Sequence, residues 1–401
     1  MADVRPFCAL RPRDDLAGQV IAPPYDVLTE HEARALADDR RNFVRITRSE
    51  VDLEPGADPH GEAAYAMARA NLDEFMSSGT LVQDDQPTYY FYGQRMGEHR
   101  QTGILAACSV AEYDAGTIAK HEYTRPDKED DRTHHMEVLD AQVGLVFLAY
   151  RAQERLGRLT QQGTAGEPAW RVTTEDGVEH ALWPATQELV PELQAAFAEL
   201  DTLYIADGHH RSAAASRVHA SRGDAASAYF VAGLFPDDAL LVMAYNRVVD
   251  DLGGRSAEAF MTEVSRAFTV APAEGPVPTE RGTFTMYLQG QWYLCALKQE
   301  LRRDDDPVAS LDVAMLQDHL LGPILGIEDP RRSTRIHFVG GIRGHKALER
   351  AVDGGAAVAF HMVPTGLDQL FRVADAGEVM PPKSTWFEPK LREGVVIRSL
   401  R

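Results

Sequence analysis

The 401 residues carry 61 Asp plus Glu against 41 Lys plus Arg, a formal charge of −20, and 44% of them are hydrophobic. That length supports one large domain or two ordinary ones, and the composition is that of a soluble globular chain. So acidic a surface repels nucleic acid and anionic membrane. Neither is expected as a partner, and an anionic ligand would need a local basic pocket.

Gln19 to Ala22 reads as a strand ended by Pro23-Pro24. Thr29 to about Asp39 reads as a helix, with Thr29 and Glu32 spaced as a capping box. Glu62 to Ser78 is an amphipathic helix stopped by Gly79. Thr88 to Tyr92 and Thr102 to Val110 read as paired strands around a polar turn. Asp127 to His135 is strongly charged and reads as a loop or an exposed helix start, with His134-His135 at the surface. Gly144 to Tyr150 is a buried strand, and Thr186 to Leu200 a helix. Ser227 to Phe235 and Leu240 to Val248 read as a strand pair across Pro236-Asp237-Asp238.

The stretch 270–282, rich in Pro, Gly and Ala, reads as a linker. It separates a core over 1–269 from a C-terminal region over 283–401 that is expected to fold back and complete the site. Strands occurring both singly and in adjacent pairs indicate an α+β fold with a mixed sheet. Cys8, Cys108 and Cys295 show no CxxC spacing and read as isolated, reduced thiols. With no signal-like N-terminal segment and only strand-sized apolar runs, the expected location is the cytoplasm.

The richest stretch is Tyr204-Ile205-Ala206-Asp207-Gly208-His209-His210-Arg211, followed by Ser212 and three alanines. An apolar strand runs through an Asp-Gly turn into a helix. A helix start offers free N–H groups and a positive dipole end to an anion. Arg211 adds a planar fork of donors, and His209 and His210 add donors that titrate near neutrality. Asp207, Gly208, His209, His210 and Arg211 are therefore the candidate phosphate-binding residues. His121 and Glu122, in His121-Glu122-Tyr123-Thr124, could ligate a metal or orient a substrate. No H-x-x-x-H or H-E-x-x-H spacing links the histidines, and adjacent ones on a helix point roughly a hundred degrees apart, which argues against zinc.

D-G-H-H-R after an apolar strand resembles the signature of the free serine kinases in the ParB/sulfiredoxin-like superfamily. Met380-Pro381-Pro382-Lys383-Ser384-Thr385 resembles their C-terminal P-K-[ST]-T segment, although Trp386 and Phe387 stand where a histidine is expected. With Ala22-Pro23-Pro24-Tyr25-Asp26-Val27 and the His121 segment, the chain resembles throughout a bacterial domain-of-unknown-function family similar to those kinases. It is longer than they are, with extra material between Glu50 and Thr186.

The resemblance implies a ParB/sulfiredoxin-like nucleotide-binding core. It implies a small-molecule kinase that transfers a phosphoryl group from ATP or ADP to a hydroxyl compound, foremost free L-serine. Mg²⁺ would neutralise the phosphates, with Asp207 as the nearby carboxylate. His31-Glu32 resembles a His-Glu pair whose glutamate is the catalytic acid/base. Glu32 and Asp26 are both candidates for that role. Lys383, Ser384 and Thr385, with His121 and Glu122, are the expected substrate-binding residues. The alternatives are a ParB-like nucleotide-binding regulator, which the charge and the lack of a basic helix disfavour, and a phosphohydrolase using the histidines.

Overall fold

The computed structural model describes residues 2–401. The chain forms two compact units, residues up to 240 joined by 389–401, and residues 241–388.

The first unit is built on a nine-stranded mixed sheet. Its strands are β1 (Val4–Arg5), β2 (Tyr90–Met96), β3 (His99–Ser109), β4 (Ile118–Ala119), β5 (Val146–Tyr150), β6 (Trp170–Thr173), β7 (Glu179–Pro184), β8 (Leu203–Asp207) and β9 (Tyr229–Pro236). Their order is β4–β8–β5–β9–β3–β2–β7–β6, with β1 added against β3. The β4–β8 and β5–β9 pairs are parallel and the others antiparallel. β5 reads VFLAY and every residue of it is buried, as a strand covered on both faces requires. The unit's helices include α1 (Glu30–Leu36), α2 (Glu62–Ser77), α3 (Pro126–Leu139), α4 (Leu189–Phe197) and α5 (His209–Arg222). One core gathers Leu148, Phe197, Ile205, Ala214 and Phe230, and a second gathers Phe43, Leu72, Phe75 and Ile397.

The second unit carries a six-stranded antiparallel sheet. Its strands are β10 (Tyr245–Val249), β11 (Phe268–Pro272), β12 (Thr283–Leu288), β13 (Gln291–Leu297), β14 (Ile336–Gly340) and β15 (Val358–Met362), ordered β11–β13–β12–β15–β10–β14.

Several local expectations change. Residues 17–20 form a helical turn, and Ala22 makes only an isolated bridge to Glu393. The apolar runs on either side of Pro236 are not partners. β9 lies between β3 and β5 in the first unit, and β10 pairs with β14 and β15 in the second. Two apolar runs across a short acidic turn look like a hairpin, but partner choice is a long-range property. The stretch expected as a linker lies inside the second unit. It begins within β11, where Val270 pairs with Cys295 and Pro272 ends an edge strand that tolerates its missing N–H. Residues 126–139 are helical, opened by Pro126, and His135 is buried with its Nε2 3.0 Å from the Ile46 carbonyl oxygen. Cys108 and Cys295 are buried free thiols. No helix among the described residues is long and apolar enough to cross a membrane.

Asp312 gives the second unit a testable pH dependence. It is buried, accepts a hydrogen bond from the Gly282 N–H, and burial pushes its carboxyl up to about 6. An unfolded Asp releases its proton near pH 4, while the folded one holds it about two units longer. Between those values the folded state binds more protons, so its stability must fall as pH rises. The expected loss from pH 4 to 7 is on the order of 3 kcal/mol. Denaturant melts of wild type and Asp312→Asn at several pH values should show that slope in the wild type only. Parallel pH profiles would refute it.

Candidate functional site

The site grows from β8 and α5 of the first unit. β8 ends at Asp207, and the chain turns at Gly208, whose φ of 96° lies in the left-handed region. A Cβ there would also stand 3.3 Å from the Val146 Cα, so the turn favours glycine on two grounds. α5 then runs for 14 residues and ends at Gly223, again left-handed. Its alanines 213–215 are buried against the sheet. The strand–turn–helix geometry expected from the sequence is therefore present.

Asp207 Oδ1 accepts the Gly208 N–H at 2.8 Å, and Oδ2 accepts Lys390 Nζ at 2.9 Å. Burial opposes its ionisation, but Lys390 and Arg211 outweigh that and hold its carboxyl well below the usual range. It is an ionised, half-exposed group already paired with a cation.

Arg211 turns back into the unit. Its Nη1 donates to the Leu145 carbonyl at 2.7 Å, and its Nη2 lies 3.3 Å from Glu393 Oε1. Burial would lower its pKa, but Glu393, Tyr25, Asp26 and Asp207 raise it. Gly144 permits this path, since a Cβ there would lie 2.9 Å from Arg211 Nε. Arg211 and Arg132 both lie over the Tyr25 ring, at 5.4 and 4.3 Å from its centre. These residues, with Thr47, His135 and Glu393, line a cavity of about 30 Å³. Thr47 Oγ1 and Glu393 Oε2 are buried there and make no hydrogen bond of good geometry, although Thr47 favours the ionised Glu393 carboxyl. Burial pushes the Glu393 carboxyl up, and Arg211 only partly offsets it.

Glu393 is placed by the backbone. Ala22 and Glu393 exchange N–H···O bonds of 3.0 and 2.9 Å, which sets the Pro23–Asp26 turn beside the end of the unit. Asp26 is exposed, and its charge acts on both Arg211 and Glu393. Glu32 is also exposed, but its carboxylate accepts the Thr29 N–H at 2.8 Å and the Thr29 hydroxyl at 2.7 Å, a complete capping box.

The parallel β4–β8 pairing carries the chain after Ala119 alongside Asp207. His121 is buried there, and its ring meets that of His209 edge to face at 4.5 Å between centres. His210 Nε2 accepts the Arg125 N–H at 3.0 Å, so one of its ring nitrogens secures this loop. Burial holds the pKa of His121, His209 and His210 below the ordinary histidine value, His121 to about 4.

Lys383, Ser384 and Thr385 belong to the second unit. Lys383 is exposed with a φ of 59°. The Ser384 hydroxyl is buried and donates to the Pro381 carbonyl at 2.6 Å, so it is already engaged. Arg247 is buried and donates to the Lys383 carbonyl at 3.1 Å, and burial pushes its guanidinium down to about 10.

Sequence reasoning missed Lys390, Glu393, Arg132, Thr47 and Arg247. Lys390 and Glu393 stand shortly after the Lys383 segment, but nothing in the spacing announces that they return to Asp207 and Arg211.

A mixed-sheet protein with a strand–glycine–helix turn at its candidate site is thus the class that fold and site define. The chain belongs to the family described as protein of unknown function (DUF1015), whose model matches residues 4–314. No curated protein matches it. It is similar to solved structures at low identity. A free serine kinase variant in complex with AMP is 12% identical, over 71% of this chain and 87% of its own, with a TM-score of 0.36. SbnI with a C-terminal truncation, from Staphylococcus aureus, is 12% identical over 71% and 82%, with a TM-score of 0.40. A conserved hypothetical protein from Pyrococcus furiosus is 11% identical over 71% and 90%, with a TM-score of 0.33.

Proposed function

We propose that the protein is a phosphotransferase that moves a phosphoryl group from ATP or ADP to a small hydroxyl compound, with free L-serine the leading acceptor. The observation that carries this is the Asp207–Arg211 turn, where a 14-residue helix begins beside Lys390, Arg211 and three histidines. The D-G-H-H-R and P-K-S-T resemblances to free serine kinases supply the reaction class. In this scheme the phosphates lie on the start of α5. Asp207, the carboxylate already held ionised, would hold the Mg²⁺ that would neutralise the phosphate charge. A carboxylate of the first helical region, Asp26 or Glu32, receives the acceptor's proton.

Lys383 and Thr385 are assigned to the acceptor, and the Ser384 hydroxyl, which donates to Pro381, keeps only its accepting capacity for it. An amino-acid carboxylate calls for a cation, and the Lys383 ammonium, which lies 5.6 Å from the centre of the Tyr245 ring, is the one assigned to it. His121 and Glu122 are the remaining substrate-side candidates. The decisive experiment incubates the protein with nucleotide and a panel of hydroxyl amino acids and polyols, read by phosphorus NMR. A phosphomonoester of the acceptor supports the proposal. Nucleotide consumed with only inorganic phosphate released would establish a hydrolase, and no turnover with any pairing would refute both. Lys383→Ala should raise the acceptor KM or cut kcat/KM several-fold, and leave nucleotide affinity without acceptor unchanged. The reverse pattern would move this segment to the donor phosphates.

A further inference from the structure

Two histidines 88 positions apart and one carboxylate converge beside the turn, and the phosphotransfer scheme gives that convergence no metal. Ligand atoms of His121, Glu122 and His209 all lie within 4.8 Å of one another. His121 and His209 are only 3% and 5% exposed. Glu122, the next residue of the same loop, is at the surface. We propose that His121, Glu122 and His209 form a binding site for one divalent transition-metal ion of the zinc type, with its fourth position open to solvent or ligand.

The donor set is the first reason. Two imidazoles and one carboxylate suit zinc and its neighbours, whereas Mg²⁺ prefers an all-oxygen shell. Three protein ligands with an open position are the pattern of reactive rather than structural zinc sites.

The state of His121 is the second and independent reason. Its Nδ1 is buried and makes no hydrogen bond, and a buried polar atom without a partner is costly. The ring also interacts with the Ile205 backbone. Metal-bound histidines commonly carry such a backbone contact, which orients the ring. Meanwhile His209 Nε2 has only a weak partner, the His121 N–H at 3.5 Å.

Position is the third reason. Zinc–nitrogen distances of about 2.0–2.1 Å in a tetrahedral site separate ligand atoms by roughly 3.3 Å. The observed atoms lie within 4.8 Å of one another, so an ion would draw them closer by roughly 1.5 Å at most, with Glu122 exchanging its present contact for the ion. Asp207, whose negative charge acts on both rings, favours a cation there. This assignment rests on the three residues and does not require phosphoryl transfer.

The test uses the full chain, stripped of metal by chelator and dialysed. Calorimetric titration with Zn²⁺ should give one equivalent, and Co²⁺ should give the visible absorption of a four-coordinate site. His121→Ala and Glu122→Gln should each weaken Zn²⁺ binding at least roughly 100-fold, the upper end of what even supporting contacts are worth. His337→Ala, an exposed histidine of the second unit facing Asp250, should leave it unchanged. Glu122 is exposed, so Glu122→Gln decides the matter even if His121→Ala does not fold. The proposal is overturned if the native chain takes up no Zn²⁺, if Glu122→Gln binds it as the wild type does, or if equimolar Mg²⁺ displaces it.

Discussion

Arg211→Ala is expected to cost both nucleotide affinity and folding stability, and the two losses can be separated. If nucleotide draws Arg211 from Leu145 and Glu393 onto a phosphate, loss of that charge-assisted contact should weaken nucleotide binding by about 1–3 kcal/mol. The stability loss has a different origin. Glu393 is buried and its Oε1 lies 3.3 Å from Arg211 Nη2. Removing one member of a buried pair leaves the other charge uncompensated, typically at about 3–5 kcal/mol. Glu393 can escape part of that by taking up a proton, since burial already raises its pKa. The sign follows from that. The variant's folded state keeps the Glu393 proton above the pH at which the unfolded chain releases it, so its deficit should grow from pH 5 to pH 8. Adding Glu393→Gln should restore much of the stability and none of the nucleotide affinity. Calorimetry and denaturant melts on the single and double variants check this. Unchanged nucleotide affinity in Arg211→Ala would remove the phosphate role.

Asp26→Asn and Glu32→Gln should part company. General-base assistance is worth about 10²–10⁴-fold in rate. Asp26 is exposed, follows Pro23-Pro24, and acts electrostatically on Arg211 and Glu393. Glu32 spends its carboxylate on Thr29. Asp26→Asn is therefore expected to lower kcat by at least 10²-fold, with nucleotide affinity held within a few-fold. Glu32→Gln should turn over nearly as the wild type does, because glutamine serves at the same position of a capping box. Loss of turnover in Glu32→Gln alone would reassign the base to Glu32. Full activity in both would end the carboxylate proposal.

Local features of the candidate site were legible in the chain. Thr29 and Glu32 form the capping box their spacing announces. The Asp207-Gly208 dipeptide makes a left-handed turn into a helix, because an apolar strand, a glycine and an alanine-rich segment each prefer those conformations locally. The mixed sheet was legible in the same way, as strand-length apolar runs interspersed with helical ones. What lay hidden depends on contacts across long sequence separations. The run that follows Leu240 looks like a hairpin partner of β9 yet lies in another unit, since local pattern specifies a strand but not its neighbour. No spacing rule links His121 to His209. The parallel register of Ile118 with Leu203 brings them together. Lys390 reaches Asp207 and Glu393 reaches Arg211 because the last residues return to the first unit. Backbone preference acts over a few residues, while the pairing of charges and metal ligands is decided by which strands the folded sheet sets side by side.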